Sequence, residues 1–198
     1  TLESELRRAV ERNELEVHYQ PLVRLASLDL VGFEALVRWN HPRLGLMAPD
    51  SFISLAEQTG LIGGIGRYVL QEAARQLGVW QRTHSVGGPL IMTVNVSSGQ
   101  LLDPHLAENV SHITRREALS RGTLKLEITE SMVMQYPEQA AGLMARLRQM
   151  GVGLACDDFG TGHSALANLR DMPFDTLKID RSFLAPSRDE ARSARILD

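Results

Sequence analysis

The chain has 198 residues, which is enough for one domain with a sizeable buried core. Hydrophobic residues make up 43% and charged residues 23%, a composition that argues against disorder. The net charge of −3 provides no basic excess for binding a nucleic-acid polymer through its phosphates.

The cysteine count and the apolar runs bear on the compartment. Cys156 is the only cysteine, so an intrachain disulfide is excluded and a reducing compartment is favoured. The longest apolar runs, such as residues 89–94, are too short to cross a bilayer, and the N-terminus has no leader pattern. Because the chain begins with Thr1 rather than Met, we expect a domain of a longer protein, located in the cytoplasm.

The first predicted element is a helix at residues 2–12. Thr1 is a favourable N-cap, acidic residues occupy the first turn, and Leu2, Leu6 and Ala9 fall on one helical face. Such a helix can link a domain to a preceding one. We therefore assign residues 1–14 to an N-terminal connector helix and residues 15–198 to one domain.

Strands and helices then alternate along the chain. Strands are predicted at residues 15–22, 28–39, 90–97, 124–130, 152–159 and 176–183. Helices are predicted at residues 49–58, 66–82, 103–117, 138–150, 164–170 and 188–198. This alternation predicts an α/β fold with a largely parallel sheet. A complete eight-stranded barrel usually needs about 250 residues, so the pattern leaves open an incomplete barrel or an open doubly wound sheet.

Polar side chains occur late in these strands or directly after them. Because side chains alternate between the two faces of a strand, each later strand has an apolar face for covering helices and a polar face for the interior. The polar residues at the strand ends are Glu34, Asn95, Glu127, Asp157, Asp158 and Lys178. The C-terminal strand ends build the active site in α/β folds, so we expect these side chains to meet there.

Oxygen-bearing side chains gathered in this way repel one another and lose solvation unless a cation is present. Mg²⁺ or Mn²⁺ relieves both costs and accepts a set of oxygen ligands. Two such ions would activate water for attack on a phosphodiester, and Lys178 would add positive charge or position that water. The alternative is that each carboxylate is a hydrogen-bonded structural group and that residues 158–162 form a simple glycine-rich turn.

Seven ordered motifs between residues 17 and 183 carry a family resemblance. They read HYQPLV, FEALVRW, FISLAEQTGLI, VNVSSGQL, LEITES, CDDFGTGHSAL and LKIDRSF. In this order and spacing they resemble the EAL family of cyclic di-GMP phosphodiesterases, whose signature triplet would be Glu34-Ala35-Leu36. A lone triplet carries no information, whereas seven motifs in order argue against chance similarity.

The resemblance implies a TIM-like (β/α)8 barrel with one antiparallel strand. It also implies hydrolysis of cyclic di-GMP to pGpG by water activated between two Mg²⁺ or Mn²⁺ ions. By motif match, the ligands of the first metal would be Glu34, Asn95, Glu127 and Asp157. Asp157 would bridge to a second metal that Asp158 also binds. Lys178 resembles the catalytic lysine that orients the water, and Glu34 and Asp157 complete the predicted catalytic set.

Three further residues match substrate or loop positions of the family. Arg38 resembles an arginine that holds a substrate phosphate, a role that suits a guanidinium group. Gln20 stands at a substrate-contacting position. Glu130 resembles the glutamate that braces the Asp-Asp-Phe-Gly-Thr-Gly loop. Because that loop also takes part in dimer contacts, the resemblance implies a homodimer.

The chain also departs from the family pattern. A strand with "AEGVE", whose glutamate contributes to the second metal, and a strand with "QG" would both lie beyond Asp198, so we expect a barrel that is incomplete at its C-terminus. His163 and Ala165 stand where members often carry Tyr and Ser. Without the glutamate, the alternative to a phosphodiesterase is a catalytically impaired cyclic di-GMP receptor or regulatory module. Many members follow a GGDEF cyclase domain, so we expect an upstream signalling domain.

Overall fold

The computed structural model of the chain describes residues 1–9, 11–83, 88–160 and 172–180. The strands within them are β1 Leu15–Val23, β2 Leu30–His41, β3 Gly45–Met47, β4 Ile91–Asn95, β5 Leu124–Thr129, β6 Gly153–Phe159 and β7 Thr176–Ile179. The α-helices are α1 Leu2–Ala9, α2 Ile53–Gln58, α3 Ile62–Thr83, α4 Ser98–Leu101, α5 Leu106–Arg116, α6 Glu130–Gln135 and α7 Pro137–Gln149. A 3-10 turn at Pro49–Ser51 precedes α2. Among the helices of these residues, none combines the length and the apolar character needed to cross a bilayer.

The strands form one sheet in the order β1-β2-β4-β5-β6-β7, and the short β3 pairs with β2 beside this path. β1 and β3 are antiparallel to β2, whereas the pairs from β2 through β7 are parallel. From β2 to β6, consecutive parallel strands are joined by helices, as the β/α alternation predicts. Within the described residues the sheet runs from β1 to β7 without closing. The predicted α/β fold with a mostly parallel sheet is therefore confirmed.

The core lies between the sheet and the helices that cover its outer face. Helix α3 contributes the apolar stripe that its sequence predicts, and every member is buried: Val69, Leu70, Ala73, Ala74 and Leu77. Met92 of β4 and Leu126 of β5 are buried on the facing side of the sheet. Each valine, leucine or methionine side chain removed from water in this way stabilises the fold by roughly 1.5–3 kcal/mol. This packing fixes which face of each strand is left for polar side chains.

The sequence pattern does not predict three short elements, β3, α4 and α6, because each is too brief to show a period. Helix α4 shortens β4, which ends at Asn95 rather than at residue 97. Ser97 is the N-cap of α4: its hydroxyl accepts a hydrogen bond from the Gln100 amide, and Gln100 Oε1 accepts one from the Ser97 amide. This capping box satisfies two backbone donors that would otherwise be unpaired.

Other element bounds differ from those predicted by a few residues. Helix α3 begins at Ile62 rather than at residue 66, because the pair Gly63-Gly64 hides the helical pattern of the first turn. Helix α1 ends at Ala9 rather than at residue 12, and Asn13 then adopts a positive φ of 54°. The helices predicted at residues 164–170 and 188–198 lie outside the described residues, as do the last residues of the strand predicted at 176–183.

Helix α1 is attached to the body of the domain by apolar and ionic contacts. Leu6 and Ala9 are buried in the core. Glu5 Oε2 lies 3.3 Å from His41 Nε2, and Glu5 Oε1 accepts a hydrogen bond from Arg43 at 2.6 Å. His41 Nδ1 accepts the backbone amides of Arg43 and Leu44, so Nε2 carries the proton that faces Glu5. The hydrogen bond from His41 holds the pKa of Glu5 below its usual range.

Truncation of a core leucine tests the proposed packing. Leu77→Ala removes a fully buried side chain of α3, so we expect the free energy of unfolding to fall by about 2–5 kcal/mol. Leu25→Ala is the matched control, because Leu25 is 92% exposed and should change stability by less than about 0.5 kcal/mol. Urea unfolding followed by circular dichroism measures both. Equal effects of the two substitutions would contradict the packing described here.

Candidate active site

One ammonium group lies among three carboxylates at the polar face of the sheet. Lys178 Nζ donates to Glu127 Oε2 at 2.6 Å and to Glu34 Oε2 at 3.2 Å. Asp157 Oδ1 lies 3.4 Å from the same nitrogen. The three carboxylates come from β2, β5 and β6, and the lysine comes from β7. Four strands that are far apart in sequence therefore converge on one point.

The parallel register of the sheet brings these residues together. Ala35 of β2 pairs with Val94 of β4, and Asn95 pairs with Glu127 of β5. Thr129, two residues after Glu127, pairs with Asp157 of β6. Because side chains alternate along each strand, this register places the polar residues on one face while their apolar neighbours face the helices. A shift of one residue in any strand would turn its polar side chain to the opposite face.

A β-bulge explains how two consecutive aspartates reach the site. Cys156 pairs with Leu177 and Phe159 pairs with Ile179, so Asp157 and Asp158 together lie opposite the single residue Lys178. One extra residue on β6 breaks the strict alternation of side chains. Asp158 adopts a φ of 53°, the left-handed conformation that non-glycine residues rarely use. The strain is located at the position where both carboxylates are predicted to act.

Burial sets the protonation of the central pair. Glu127 is 1% exposed, and burial raises the pKa of its carboxyl group above the usual value, although the hydrogen bond from Lys178 opposes this shift. Burial alone would lower the pKa of Lys178. The hydrogen bond to Glu127 and the surrounding carboxylates outweigh burial and raise the pKa of Lys178 above its ordinary value. The ammonium therefore stays charged at neutral pH.

Asn95 belongs to the same cluster through Glu34. The Asn95 amide nitrogen donates to Glu34 Oε1 at 3.0 Å. This hydrogen bond orients both side chains and leaves Asn95 Oδ1 as an oxygen donor for a cation. The two residues are 61 positions apart in the chain, and the pairing of β2 with β4 brings them into contact.

Glu130 connects β5 to the segment that follows β6. It is the first residue of α6 rather than the last of β5, because Thr129 is the N-cap of that helix. Glu130 Oε2 accepts a hydrogen bond from the Gly160 backbone amide at 2.9 Å. Glu130 Oε1 is buried and has no hydrogen-bond partner among the described residues. Residues 161 and 162 of the loop that Glu130 is predicted to brace lie outside the described residues.

Gln20 lies beside Glu34 in the sheet and Arg38 lies further along β2, and in the described part of the chain neither forms a hydrogen bond or ion pair with the carboxylates of the cluster. Gln20 is exposed on β1 and pairs in register with Glu34. Arg38 lies on the same face of β2 as Glu34, about 13 Å further along the strand. Arg38 Nη1 donates to the Val37 carbonyl oxygen at 2.8 Å. Within the described residues the Arg38 guanidinium group forms no ion pair. Their predicted contacts with substrate stay predictions.

The oxygen atoms of the cluster suit a hard divalent cation. Glu34, Glu127, Asp157 and Asn95 provide oxygen ligands of the kind that Mg²⁺ and Mn²⁺ accept. Glu127 Oε1 is buried without a hydrogen-bond partner among the described residues, as expected of an atom that a cation would contact. No three His, Cys, Asp or Glu side chains of the described ranges form a preformed metal cage by themselves. The ammonium of Lys178 occupies the centre of the cluster instead.

A cavity of about 530 Å³ adjoins the cluster. Asn95, Asp157 and Asp158 line it together with apolar side chains such as Ile53 of α2 and Ile65 of α3. Gln135 of α6 also lines it, and this residue was not predicted from the sequence because the helix was not predicted. The signal was present, since Thr129 followed by Glu130 is a typical helix start.

Comparison with known proteins identifies relatives over nearly the whole chain. The family model described as the EAL domain matches residues 3–198. The cyclic di-GMP phosphodiesterase NbdA of Pseudomonas aeruginosa is 44% identical over 92% of this chain and 23% of its own length. The bifunctional diguanylate cyclase/cyclic di-GMP phosphodiesterase MucR of the same organism is 40% identical over 98% of this chain and 28% of its own length. The chain thus spans about a quarter of the length of these curated relatives.

A solved structure supports the same relationship in three dimensions. The PaMucR phosphodiesterase in complex with c-di-GMP aligns with a TM-score of 0.90 and 40% identity, over 98% of this chain and 78% of that chain. EAL structures of this kind are TIM-like barrels, so the barrel is confirmed over the open doubly wound sheet.

The reactivity of the Cys156 thiol tests whether β6 is buried beside the cluster. Burial, followed by the charges of Glu130 and Asp157, raises the pKa of this thiol to about 12. At pH 8 only about 10⁻⁴ of such a thiol is ionised, so we expect very slow reaction with a thiol-specific disulfide reagent. Unfolding in urea should release one fast-reacting thiol per chain. Fast reaction of the folded chain would contradict the position given to β6.

Proposed function

Because the chain belongs to the EAL domain family, we propose that it is a phosphodiesterase that hydrolyses cyclic di-GMP to the linear dinucleotide pGpG with Mg²⁺ or Mn²⁺. The observation that carries the proposal is the convergence of Glu34, Glu127 and Asp157 on Lys178. Two curated relatives that align over more than nine-tenths of the chain are named cyclic di-GMP phosphodiesterases.

In the proposed reaction a water oxygen bonds to phosphorus, one P–O ester bond breaks, and the departing oxygen receives a proton. The ring opens and the product is linear. When bound, Mg²⁺ or Mn²⁺ supplies a Lewis acid that lowers the pKa of a ligated water and neutralises phosphate charge. The residues proposed to hold the first ion are Glu34, Asn95, Glu127 and Asp157. Asp157 and Asp158 are proposed to hold the second.

The protonated state of Lys178 limits the role that it can play in the reaction. An ammonium whose pKa is raised cannot accept a proton from water at neutral pH. We propose that the Lys178 ammonium group donates a hydrogen bond that orients the nucleophilic water. It also stabilises the negative charge that develops on the phosphate oxygens. A preorganised donor of this kind is worth about 10²–10³ in rate.

The remaining site residues are proposed to act on the substrate and on the loop after β6. Arg38, which has no ion pair among the described residues, is proposed to bind a substrate phosphate through its guanidinium fork. Gln20 is proposed to contact the substrate from β1. Glu130 is proposed to fix the loop through the hydrogen bond from Gly160.

The wider setting follows from the length of the relatives. Because curated relatives are about four times longer than this chain, we propose that residues 1–14 connect an upstream signalling domain to the EAL domain at 15–198. We place this larger protein, or the portion that contains the domain, in the cytoplasm. A homodimer is proposed on the family resemblance.

Turnover of cyclic di-GMP tests the proposed function directly. We expect the chain to produce pGpG with Mg²⁺ or Mn²⁺ and to lose this activity with a chelator. Glu34→Gln keeps the size of the side chain but removes one charge from the cluster, so kcat should fall by about 100-fold or more. Glu138→Gln is the matched control, since Glu138 is exposed on α7 and should retain wild-type kcat. Chromatography of the nucleotides measures substrate and product.

Two outcomes of that assay would change the assignment. Binding of cyclic di-GMP without turnover at any metal concentration would place the chain among receptors or regulatory modules. Equal activity of Glu34→Gln and the wild type would show that the reaction does not use the cluster.

Glu130 offers a test of the loop. Glu130→Ala removes the acceptor of the Gly160 amide, whereas Glu130→Gln retains an oxygen at that position. We expect the alanine variant to need a higher Mg²⁺ concentration for half-maximal rate and to lose about tenfold in kcat. The glutamine variant should recover most of this loss. If both variants match the wild type, Glu130 does not act through Gly160.

A further inference from the structure

The chain contains two lysines, Lys125 and Lys178. Its other strongly basic residues are all arginines. Both lysines lie on the polar face of the sheet. Lys125 precedes Glu127 by two residues on β5, so the two side chains share a face and Lys125 lies one layer below the carboxylate cluster. Nothing in the proposed reaction uses Lys125.

Lys125 reaches across a strand. Its Nζ donates to Thr176 Oγ1 at 2.8 Å, although β6 lies between β5 and β7. Gly153 is the residue of β6 that pairs with Lys125. A Cβ atom at Gly153 would lie 2.6 Å from Lys125 Cγ, so the glycine provides the space through which the lysine stem passes.

This contact adds a side-chain tie to β7, whose pairing with β6 is interrupted. Thr176 pairs with Ala155 and Leu177 with Cys156, but the bulge at Asp157 and Asp158 then breaks the register opposite Lys178. Below the bulge, Asp175 bonds Leu154 through its backbone amide and through its carboxylate. The hydrogen bond from Lys125 holds the side chain of Thr176, which lies two residues before Lys178 on the same face of β7.

We propose that Lys125 is a positioning residue for Lys178. By holding Thr176 across Gly153, Lys125 fixes the height and orientation of β7, and Lys178, two residues later on the same face, is thereby held among the carboxylates. A lysine suits this place because its slim stem passes over a glycine and its ammonium donates to a hydroxyl group. The catalytic consequence rests on the proposed function, whereas the structural link does not.

The presence of two lysines makes a spectroscopic test practical. Labelling of lysine with ¹³C at Cε should give two side-chain resonances in the chain. Lys125→Met keeps the length of the stem and removes the ammonium, and it leaves one resonance, from Lys178. We expect this resonance to move away from its wild-type position. Thr176→Val removes the acceptor and should shift the Lys178 resonance in the same direction.

The kinetic test separates positioning from general damage. Lys125→Met and Thr176→Val should each lower kcat by about 10-fold to 100-fold while KM stays within about twofold. The double variant should equal either single variant, because both remove one hydrogen bond. In a Lys178→Met background, Lys125→Met should cause no further loss. Thr114→Val is the matched control, since its hydroxyl bonds the Val110 carbonyl on α5 and should leave kcat unchanged.

The outcomes are distinguishable. An unchanged Lys178 resonance in folded Lys125→Met, or wild-type kcat in both variants, would overturn the proposal. If Lys125→Met does not fold by circular dichroism, Thr176→Val decides by the same two measurements. If the wild type does not hydrolyse cyclic di-GMP, the proposed function fails, while the resonance shift still decides whether Lys125 positions Lys178.

Discussion

The structure depends on the placement of one positive charge among three negative ones. Two like charges about 4 Å apart repel by about 4 kcal/mol at an effective dielectric of about 20. A cation relieves this repulsion among Glu34, Glu127 and Asp157, and Lys178 provides one within 3.4 Å of each carboxylate. Because Glu127 is almost fully buried, removal of Lys178 would leave the Glu127 carboxylate buried without its partner charge.

This constraint extends through the sheet. Each charged side chain comes from a different strand, so the cluster forms only when β2, β4, β5, β6 and β7 pair in the observed register. The apolar faces packed against α3, α5 and α7 hold that register, and the bulge at Asp157 and Asp158 adapts it locally. Because this register gathers oxygen ligands from four strands at one point, we propose the cluster as the active site.

The sequence allows much of this to be predicted. Alternation with period two identifies the polar faces of the later strands, and Asn95, Glu127, Asp157 and Lys178 follow from it before any resemblance is considered. Asp158 does not follow from it, because only the bulge in β6 brings two consecutive aspartates opposite Lys178. The apolar stripe on α3 can likewise be predicted from the sequence. The short elements are not: β3 and α4 have too few residues to show a period, and α6 is hidden behind a strand that ends in a helix cap at Thr129. The tie between Lys125 and Thr176 is beyond sequence reasoning, because it requires knowing that β6 separates the two strands and that Gly153 opens the path.

We propose that the oxygen atoms around Lys178 form a site for divalent cations. Electron paramagnetic resonance of Mn²⁺ titrated into the chain measures this without any substrate, because bound Mn²⁺ loses the sharp signal of the free ion. We expect binding by the wild type and by the exposed-surface variant Glu138→Gln, and a loss of at least tenfold in affinity for Glu127→Gln. Wild-type affinity in Glu127→Gln, or no binding by the wild type at millimolar Mn²⁺, would contradict the proposal.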